Sequence, residues 1–208
     1  SAYTVKRAIR RLNNMAKSNP AATAINSRLK IEYNDKLRTE LKQQLKLENV
    51  NEVPKLQKVI VSIGLGRSKD DKRIMEAAAT TLAKITGQKP VATISKKSIA
   101  SFKLRDGQII GMKVTLRRNK MYEFTDKLIN VVLPRLRDFH GVNHKSFDGR
   151  GNYTIGFEDQ TIWPELSFED TSTPHGLEVT FVTSTESDEH AKSLLESFGM
   201  PFVKEGSK

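Results

Sequence analysis

The sequence predicts an α+β fold: a mostly antiparallel sheet with helices packed on one face, preceded by a basic N-terminal extension. Two observations predict it. Strand-like and helix-like segments alternate irregularly along the 208 residues. Several links between the strands are too short for the crossovers that parallel strands require. We therefore expect a single domain over residues 28–208, an extension over residues 1–27, and a polar sheet face that is available for binding.

The first half of the domain is predicted to contain a helix, a strand and a second helix. Residues 28–46 form a helix with a narrow buried stripe, made by apolar residues mostly four apart at Ile31, Leu37, Leu41 and Leu45. The run KVIVSIGLG, residues 58–66, is typical of a buried strand that ends at a glycine turn. Residues 70–86 form the next helix, with Asp70 or Asp71 as its N-cap and Gly87 at its end.

The second half is predicted to supply most of the sheet. Strands are expected over residues 91–95, 109–117, 153–157 and 178–183. Residues 120–139 are periodic like a helix, which Pro134 kinks or ends. Residues 147–153 are a glycine-rich turn. A last helix, DEHAKSLLESF, is capped by Ser187 and stops at Gly199.

The composition indicates a polyanionic partner. The formal net charge is +11, the sequence pI is about 9.8, and the mean hydropathy is −0.49. Nucleic acid is the leading candidate and an anionic membrane surface the second, although no apolar run is long enough to span a bilayer. The absence of cysteine excludes disulfides, cysteine-ligated zinc and thiol catalysis. The N-terminus lacks the apolar segment of a secretory signal.

The charges are segregated along the chain. Residues 1–31 contain seven Lys or Arg and no Asp or Glu, whereas residues 151–191 contain nine Asp or Glu and no Lys or Arg. Segregation favours one face for a polyanion and another that meets either solvent or a basic partner. The extension has the spacing of a basic amphipathic helix, and three roles compete for it: an arm that folds onto RNA, which we favour, a membrane-surface helix, or the remnant of an organelle targeting peptide.

Residues 87–118 carry the strongest functional signal. Eight Lys or Arg face a single acidic residue, Asp106, and alternate with β-branched and apolar residues. This pattern predicts two strands and a loop that hold the cations in fixed places, as a phosphate backbone requires. Within the loop, Phe102 either stacks on an exposed nucleotide or plugs the loop from beneath.

Enzymatic chemistry finds little support. The turn at Gly64-Leu65-Gly66 follows a strand and precedes a helix, but Lys69 occupies the place of a third glycine and no GK[ST] follows. A tight turn is therefore favoured over a phosphate-binding loop. His140 and His144 are four apart without the glutamate of a metalloprotease motif or a third ligand. An enzyme that acts on RNA or a nucleotide through the glycine turn remains the alternative, and a membrane-surface protein anchored by the extension is a third.

Several motifs occur in order: ITGQKP, SKKSIASFKLRDGQIIGMKVTLRR, LPRLRDFHG, SFDGRGNY and GMPFVK. Together they closely resemble the family of the bacterial-type large-subunit ribosomal protein L-five, which binds 5S ribosomal RNA. The similarity covers about residues 28–204, and the extension has no counterpart in it.

The resemblance implies a structural constituent of the large ribosomal subunit, cytoplasmic and without catalysis or a cofactor. It grips 5S RNA within the central protuberance and contacts large-subunit rRNA. The implied 5S contacts are Ser62, Gln88 and Thr115, and we add the neighbouring cations Lys89, Arg117 and Arg118. Ser62 stands where the family commonly has Asn, so its hydroxyl has a shorter reach. His140 stands where the family usually has Arg, so one cation is lost or becomes pH-dependent.

Two further contacts are implied by the resemblance. A loop that approaches the elbow of P-site tRNA corresponds to Ser95, Lys96, Lys97, Ser98, Phe102, Lys103 and Arg105. A turn on the side of the small-subunit head, where the family bridges to ribosomal protein S-thirteen, corresponds to Phe147, Asp148, Gly149, Arg150, Gly151, Asn152 and Tyr153. That protein is basic, which gives the acidic residues 151–191 a partner.

Overall fold

A computed structural model of the chain describes residues 27–66, 71–137, 139–167, 169–171 and 174–203. Its strands are β1 (Leu56–Gly64), β2 (Val91–Ile94), β3 (Ile109–Leu116), β4 (Tyr153–Phe157) and β5 (Leu177–Thr183). They form one five-stranded sheet in the order β2-β3-β1-β5-β4, and every neighbouring pair is antiparallel. The predicted α+β class is confirmed. The helix predicted within residues 1–26 and Asp70 lie outside the described residues.

Four helical runs accompany the sheet. The first, α1, is continuous through the α-helical Arg28–Glu32, the π-helical Tyr33–Leu37 and the α-helical Arg38–Gln44. The others are α2 (Lys72–Thr86), α3 (Arg118–Lys127) and α4 (Asp188–Ser197). A π-helical segment, Leu128–Val132, and a 3₁₀ turn, Leu133–Arg135, extend α3 to one residue beyond Pro134, which was predicted to kink or end the helix.

The buried stripe of α1 differs from the predicted one. Ile31 is 47% exposed, and the buried side chains are instead Leu29, Tyr33, Leu37 and Leu41. A strict four-residue spacing drifts by roughly 40° per step around an ordinary α-helix, because 3.6 residues make a turn. The wider π-helical turn, with its i→i+5 bonds, offsets that drift and keeps the four side chains on one face.

The ends of α2 follow the predicted caps, whereas α4 begins differently. Asp71 accepts a hydrogen bond from the Arg73 amide at 2.9 Å, and Gly87 ends α2 with a φ of 63°. Ser187 occupies the N-cap position of α4, but its side chain makes no capping hydrogen bond. The prediction of a serine cap is therefore wrong in its chemistry, although the helix starts where it was expected.

The sheet has one packed face and one open face. The predicted buried strand, β1, is buried on one side only, because its side chains alternate: Val59, Val61 and Ile63 are buried, whereas Lys58, Ile60 and Ser62 are partly exposed. Helix α2 packs near β3 and α3 near β1. The side chains that alternate away from this packed side form what we call the open face: Lys58, Ile60, Ser62, Val91, Thr93, Lys113, Thr115, Thr154, Glu178, Thr180 and Val182.

Candidate nucleic-acid interface

The strand register brings the residues predicted to contact 5S RNA together on and beside the open face. Ser62 of β1 pairs with Lys113 of β3, and Thr115 follows two residues later on the same face. Gln88 lies just beyond the end of α2, where its Nε2 donates a hydrogen bond to the Thr115 carbonyl oxygen at 3.4 Å. Three residues distant in sequence thus share one edge of a polar surface.

Cations surround these polar groups. Lys113 stands on the open face, while Lys89, Arg117 and Arg118 are exposed on the segments that flank it. The Lys120 ammonium donates to the Gly87 carbonyl oxygen at 3.2 Å and so ties the turn before Gln88 to α3. The backbone that carries these cations is therefore held by the fold, and only side-chain freedom is lost when they meet a phosphate.

The basic loop, residues 95–108, is closed by hydrogen bonds at its base and near its tip. Ser95 and Gly107 bond at the base, where the Gly107 amide donates to the Ser95 carbonyl oxygen at 3.0 Å. Ile99 and Leu104 exchange two backbone bonds of 3.0 Å nearer the tip. The 3₁₀ turn Ala100–Phe102 then caps the loop. The predicted loop is therefore a folded element.

The side chains of the basic loop divide into two groups. Ser95 is buried and its hydroxyl donates to the Lys97 carbonyl oxygen at 2.7 Å, while the Ser98 hydroxyl accepts from the Asp106 amide at 2.9 Å. These two serines shape the loop, and Ser95 contributes to the predicted tRNA loop through its structure, because its side chain is buried. The residues presented outward are Lys96, Lys97, Lys103, Arg105 and Phe102. Phe102 is 68% exposed, so the alternative that its side chain is buried beneath the loop is wrong.

The glycine turn, residues 147–153, is organised by two carboxylates. Asp148 Oδ1 accepts from the amides of Arg150 and Asn152 at 2.8 and 3.1 Å, and its hydrogen bond from the Asn152 side chain lowers the pKa of Asp148. Asp188, the first residue of α4, accepts from the amides of Gly149 and Gly151 at 3.1 and 2.7 Å. The turn is thus attached to the start of α4.

Only part of the glycine turn reaches the surface. Tyr153 is fully buried, Gly151 is buried, and Phe147 packs on the Tyr153 ring with 4.6 Å between centroids. Tyr153 and Gly151 are part of the core beneath the turn, whereas the prediction that this turn faces a partner concerns its exposed residues. The residues left to face outward are Asp148, Gly149 and Arg150.

We expect Gly151→Ala to destabilise the protein far more than Gly149→Ala. Both glycines have a positive φ, 72° and 77°, which costs an alanine about 1–2 kcal/mol. A Cβ at position 149 meets open space, whereas one at position 151 meets the Thr185 carbonyl. Overpacking adds about 1–3 kcal/mol for Gly151→Ala alone. Urea unfolding of both variants measures the difference, and equal losses would contradict the structure of the turn.

Part of the acidic region is used inside the molecule. Lys84 of α2 bonds Asp170 at 2.6 Å, and Lys127 of α3 bonds Glu165 at 2.6 Å. The hydrogen bonds from Lys84 and Ser167 lower the pKa of Asp170 to about 2. Both sequence interpretations, a solvated surface and a docking site for a basic partner, therefore apply only to the remaining acids. Those exposed at the surface are Glu158, Asp159, Glu169, Glu186 and Glu189, together with Glu178 on the open face.

The alternative functions find no constellation within the described ranges. Gly64 ends β1, and Leu65 is buried with its amide bonded to the Ile110 carbonyl oxygen at 2.9 Å, while residues 67–70 lie outside those ranges. No group of three or more His, Cys, Asp or Glu residues there is placed to hold a metal ion. No helix in the described part of the chain is long and apolar enough to cross a membrane. The fold and its cation-flanked open face are typical of a nucleic-acid-binding protein.

Comparison with known proteins gives the family. The family model of ribosomal protein L5 matches residues 49–105, and the model of the C-terminus of the same ribosomal family matches residues 109–202. The chain is 54% identical over 176 residues to the large ribosomal subunit protein uL5 of Dichelobacter nodosus, which covers 85% of this chain and 98% of the relative. It is 50% identical over 178 residues to uL5 of Desulforamulus reducens, covering 86% and 98%. It is 49% identical over 177 residues to uL5 of Clostridium botulinum, covering 85% and 98%.

The chain belongs to the ribosomal protein L5 family. It is a structural constituent of the large ribosomal subunit that serves translation, and it is not an enzyme. As a bacterial-type member it belongs to ribosomes of the cytoplasm. The resemblance inferred from the sequence motifs is confirmed.

Proposed function

We propose that this protein binds 5S rRNA in the central protuberance of the large subunit through its open face and the adjoining turn. The observation that carries this proposal is the hydrogen bond between Gln88 and Thr115, which pairs with β1 two residues from Ser62. Exposed cations surround these three residues. Hydroxyl and amide groups on a rigid sheet suit ribose hydroxyls and base edges. Lys89, Arg117 and Arg118 supply the phosphate contacts.

The basic loop serves a second RNA in this proposal, the elbow of P-site tRNA. It leaves the sheet beyond β2 and β3, and its outward cations are separate from the open face. Phe102 is exposed at its tip, where an aromatic ring stacks on a nucleotide that has left its helix. In this proposal the basic loop and the open face also contact neighbouring large-subunit rRNA.

The glycine turn and the exposed acids of residues 151–191 other than Glu178 face the small-subunit head in this proposal, with the basic protein S-thirteen as the partner. Asp148 and the exposed glutamates offer the negative charge that a basic protein requires. We also propose the division of the chain: residues 28–208 form the RNA-binding ribosomal domain, and residues 1–27 form an extension that binds RNA as an arm.

Binding of the full chain to a 5S rRNA transcript tests the main proposal. The competitor is a perfectly paired RNA duplex of similar length, which offers the same phosphate charge without loops. The proposal requires a clear preference for 5S rRNA at physiological salt, and equal affinity for the two RNAs would overturn it.

We expect the double variant Lys96→Ala, Lys97→Ala to keep its affinity for 5S rRNA while it weakens placement of P-site tRNA. Both lysines are exposed on the basic loop, and neither takes part in the hydrogen bond that joins Gln88 to Thr115. Ribosomes reconstituted with the variant are assayed for P-site tRNA binding, beside filter binding of the isolated variant to 5S rRNA. Loss of 5S binding in the variant would contradict the division of labour between the loop and the open face.

A further inference from the structure

Glu178 is the only acidic residue in the five strands, and it stands on the face proposed to bind a polyanion. It pairs with Ser62 of β1, and Ser62 pairs on its other side with Lys113. The carboxylate therefore lies two strands from an ammonium in the same row, roughly 10 Å apart at the backbone. Nothing in the sequence pattern of β5 singles this residue out.

The Glu178 carboxylate is oriented but not neutralised. The Ser62 hydroxyl donates to Glu178 Oε2 at 3.2 Å, which fixes the side chain along the row. None of the ion pairs formed within the described ranges involves Glu178. A carboxylate has two oxygens with about four acceptor sites, so most of its hydrogen-bonding capacity points outward from the sheet.

A bare carboxylate discriminates among the groups of an RNA. It repels phosphate, and it binds only groups that donate hydrogen bonds. In folded RNA such groups are offered by ribose 2′-hydroxyls and by unpaired bases, whose Watson–Crick edges carry the exocyclic amines of guanine, cytosine and adenine. If Glu178 faced a phosphate, its charge would weaken RNA binding. If it faces a base, it contributes a hydrogen bond to binding.

We infer that Glu178 determines specificity by accepting a hydrogen bond from the exocyclic amine of an unpaired base, with Ser62 as its positioning residue. This rests on the proposed binding of 5S rRNA by the open face. It also gives Ser62 a function that suits its short side chain, because the hydroxyl reaches the carboxylate even though it reaches less far towards RNA.

Glu178→Ala tests the inference, with Glu48→Ala as a control that removes one negative charge from an exposed position after α1. Both are titrated against the 5S rRNA transcript and the paired duplex at one salt concentration, after circular dichroism shows that each is folded. The expected result is a loss of about tenfold in 5S affinity for Glu178→Ala alone, with the duplex affinity unchanged. Tighter binding of both RNAs would overturn the inference, because it would mean that Glu178 only repels phosphate.

Base analogues identify the amine and separate the two proposals. Transcripts carrying inosine in place of guanosine, pyrimidinone riboside in place of cytidine, or purine riboside in place of adenosine lack the exocyclic amine at single loop positions. One substitution is expected to weaken binding of the unaltered protein and to leave Glu178→Ala unaffected. If every substitution weakens both proteins equally, the inference fails while 5S binding stands. If the unaltered protein shows no preference for 5S rRNA, the proposed function itself fails.

Discussion

Affinity for 5S rRNA is expected to fall by roughly three to five orders of magnitude when salt rises from 50 to 200 mM. The expectation assumes about six to ten phosphate contacts, each of which releases condensed counterions when a cation displaces them. The exposed cations of the open face and its flanks, including Lys89, Arg117 and Arg118, supply such contacts. Filter binding of the full chain across a salt series measures the slope of log affinity against log salt.

Single variants calibrate that slope. Arg117→Ala is expected to reduce its magnitude by about one and to weaken binding to all RNAs by a similar factor. Lys36→Ala is the matched control, because this exposed lysine on α1 lies 3.7 Å from Glu40 and outside the open face. A slope near zero for the unaltered protein would contradict a phosphate-based interface.

Trp163→Ala is expected to destabilise the protein by about 3–5 kcal/mol. Trp163 is 1% exposed, with its ring stacked on Phe124 at 5.3 Å and edge-on to Phe157 at 6.3 Å between centroids. The Lys127 ammonium lies 5.4 Å from its centroid. Truncation leaves a cavity between α3 and β4 and loosens the acidic segment that pairs with Lys127.

Urea unfolding followed by circular dichroism measures this loss, because the variant removes the only tryptophan of the chain and with it the fluorescence probe. Phe102→Ala is the control: it removes another large aromatic ring, but from an exposed position, and its effect should stay within about 0.5 kcal/mol. Similar losses in the two variants would show that the packing around Trp163 is not as tight as described.

The fold class and nearly all strand and helix positions were predictable, because hydrophobic periodicity and end residues are local signals. Gly87 shows this, since a glycine after a periodic run is enough to end α2. The failures came from contacts between distant segments. The face of α1 depends on a π-helical turn, and the side of β1 that is exposed depends on where α2 and α3 pack.

The site was predictable in its charges but less so in its geometry. The composition of residues 87–118, with eight Lys or Arg, is enough to predict a phosphate-binding surface. Ser95 belongs to the motif of the basic loop and Tyr153 to that of the glycine turn, yet the fold buries both side chains. Membership of a motif does not show whether a side chain is buried. Glu178 was missed for the opposite reason: its significance arises only when β1 and β5 pair and set it beside Ser62.

The hydrogen bonds that close the basic loop bear on the rate at which this protein finds its partner. A loop held by backbone bonds at its base and near its tip needs no conformational search before contact. Its association rate is then set by diffusion and by the attraction between its charges and the phosphates, while its lifetime on the RNA is set by contacts at the tip. Removing Lys96 would slow arrival, whereas removing Phe102 would hasten departure.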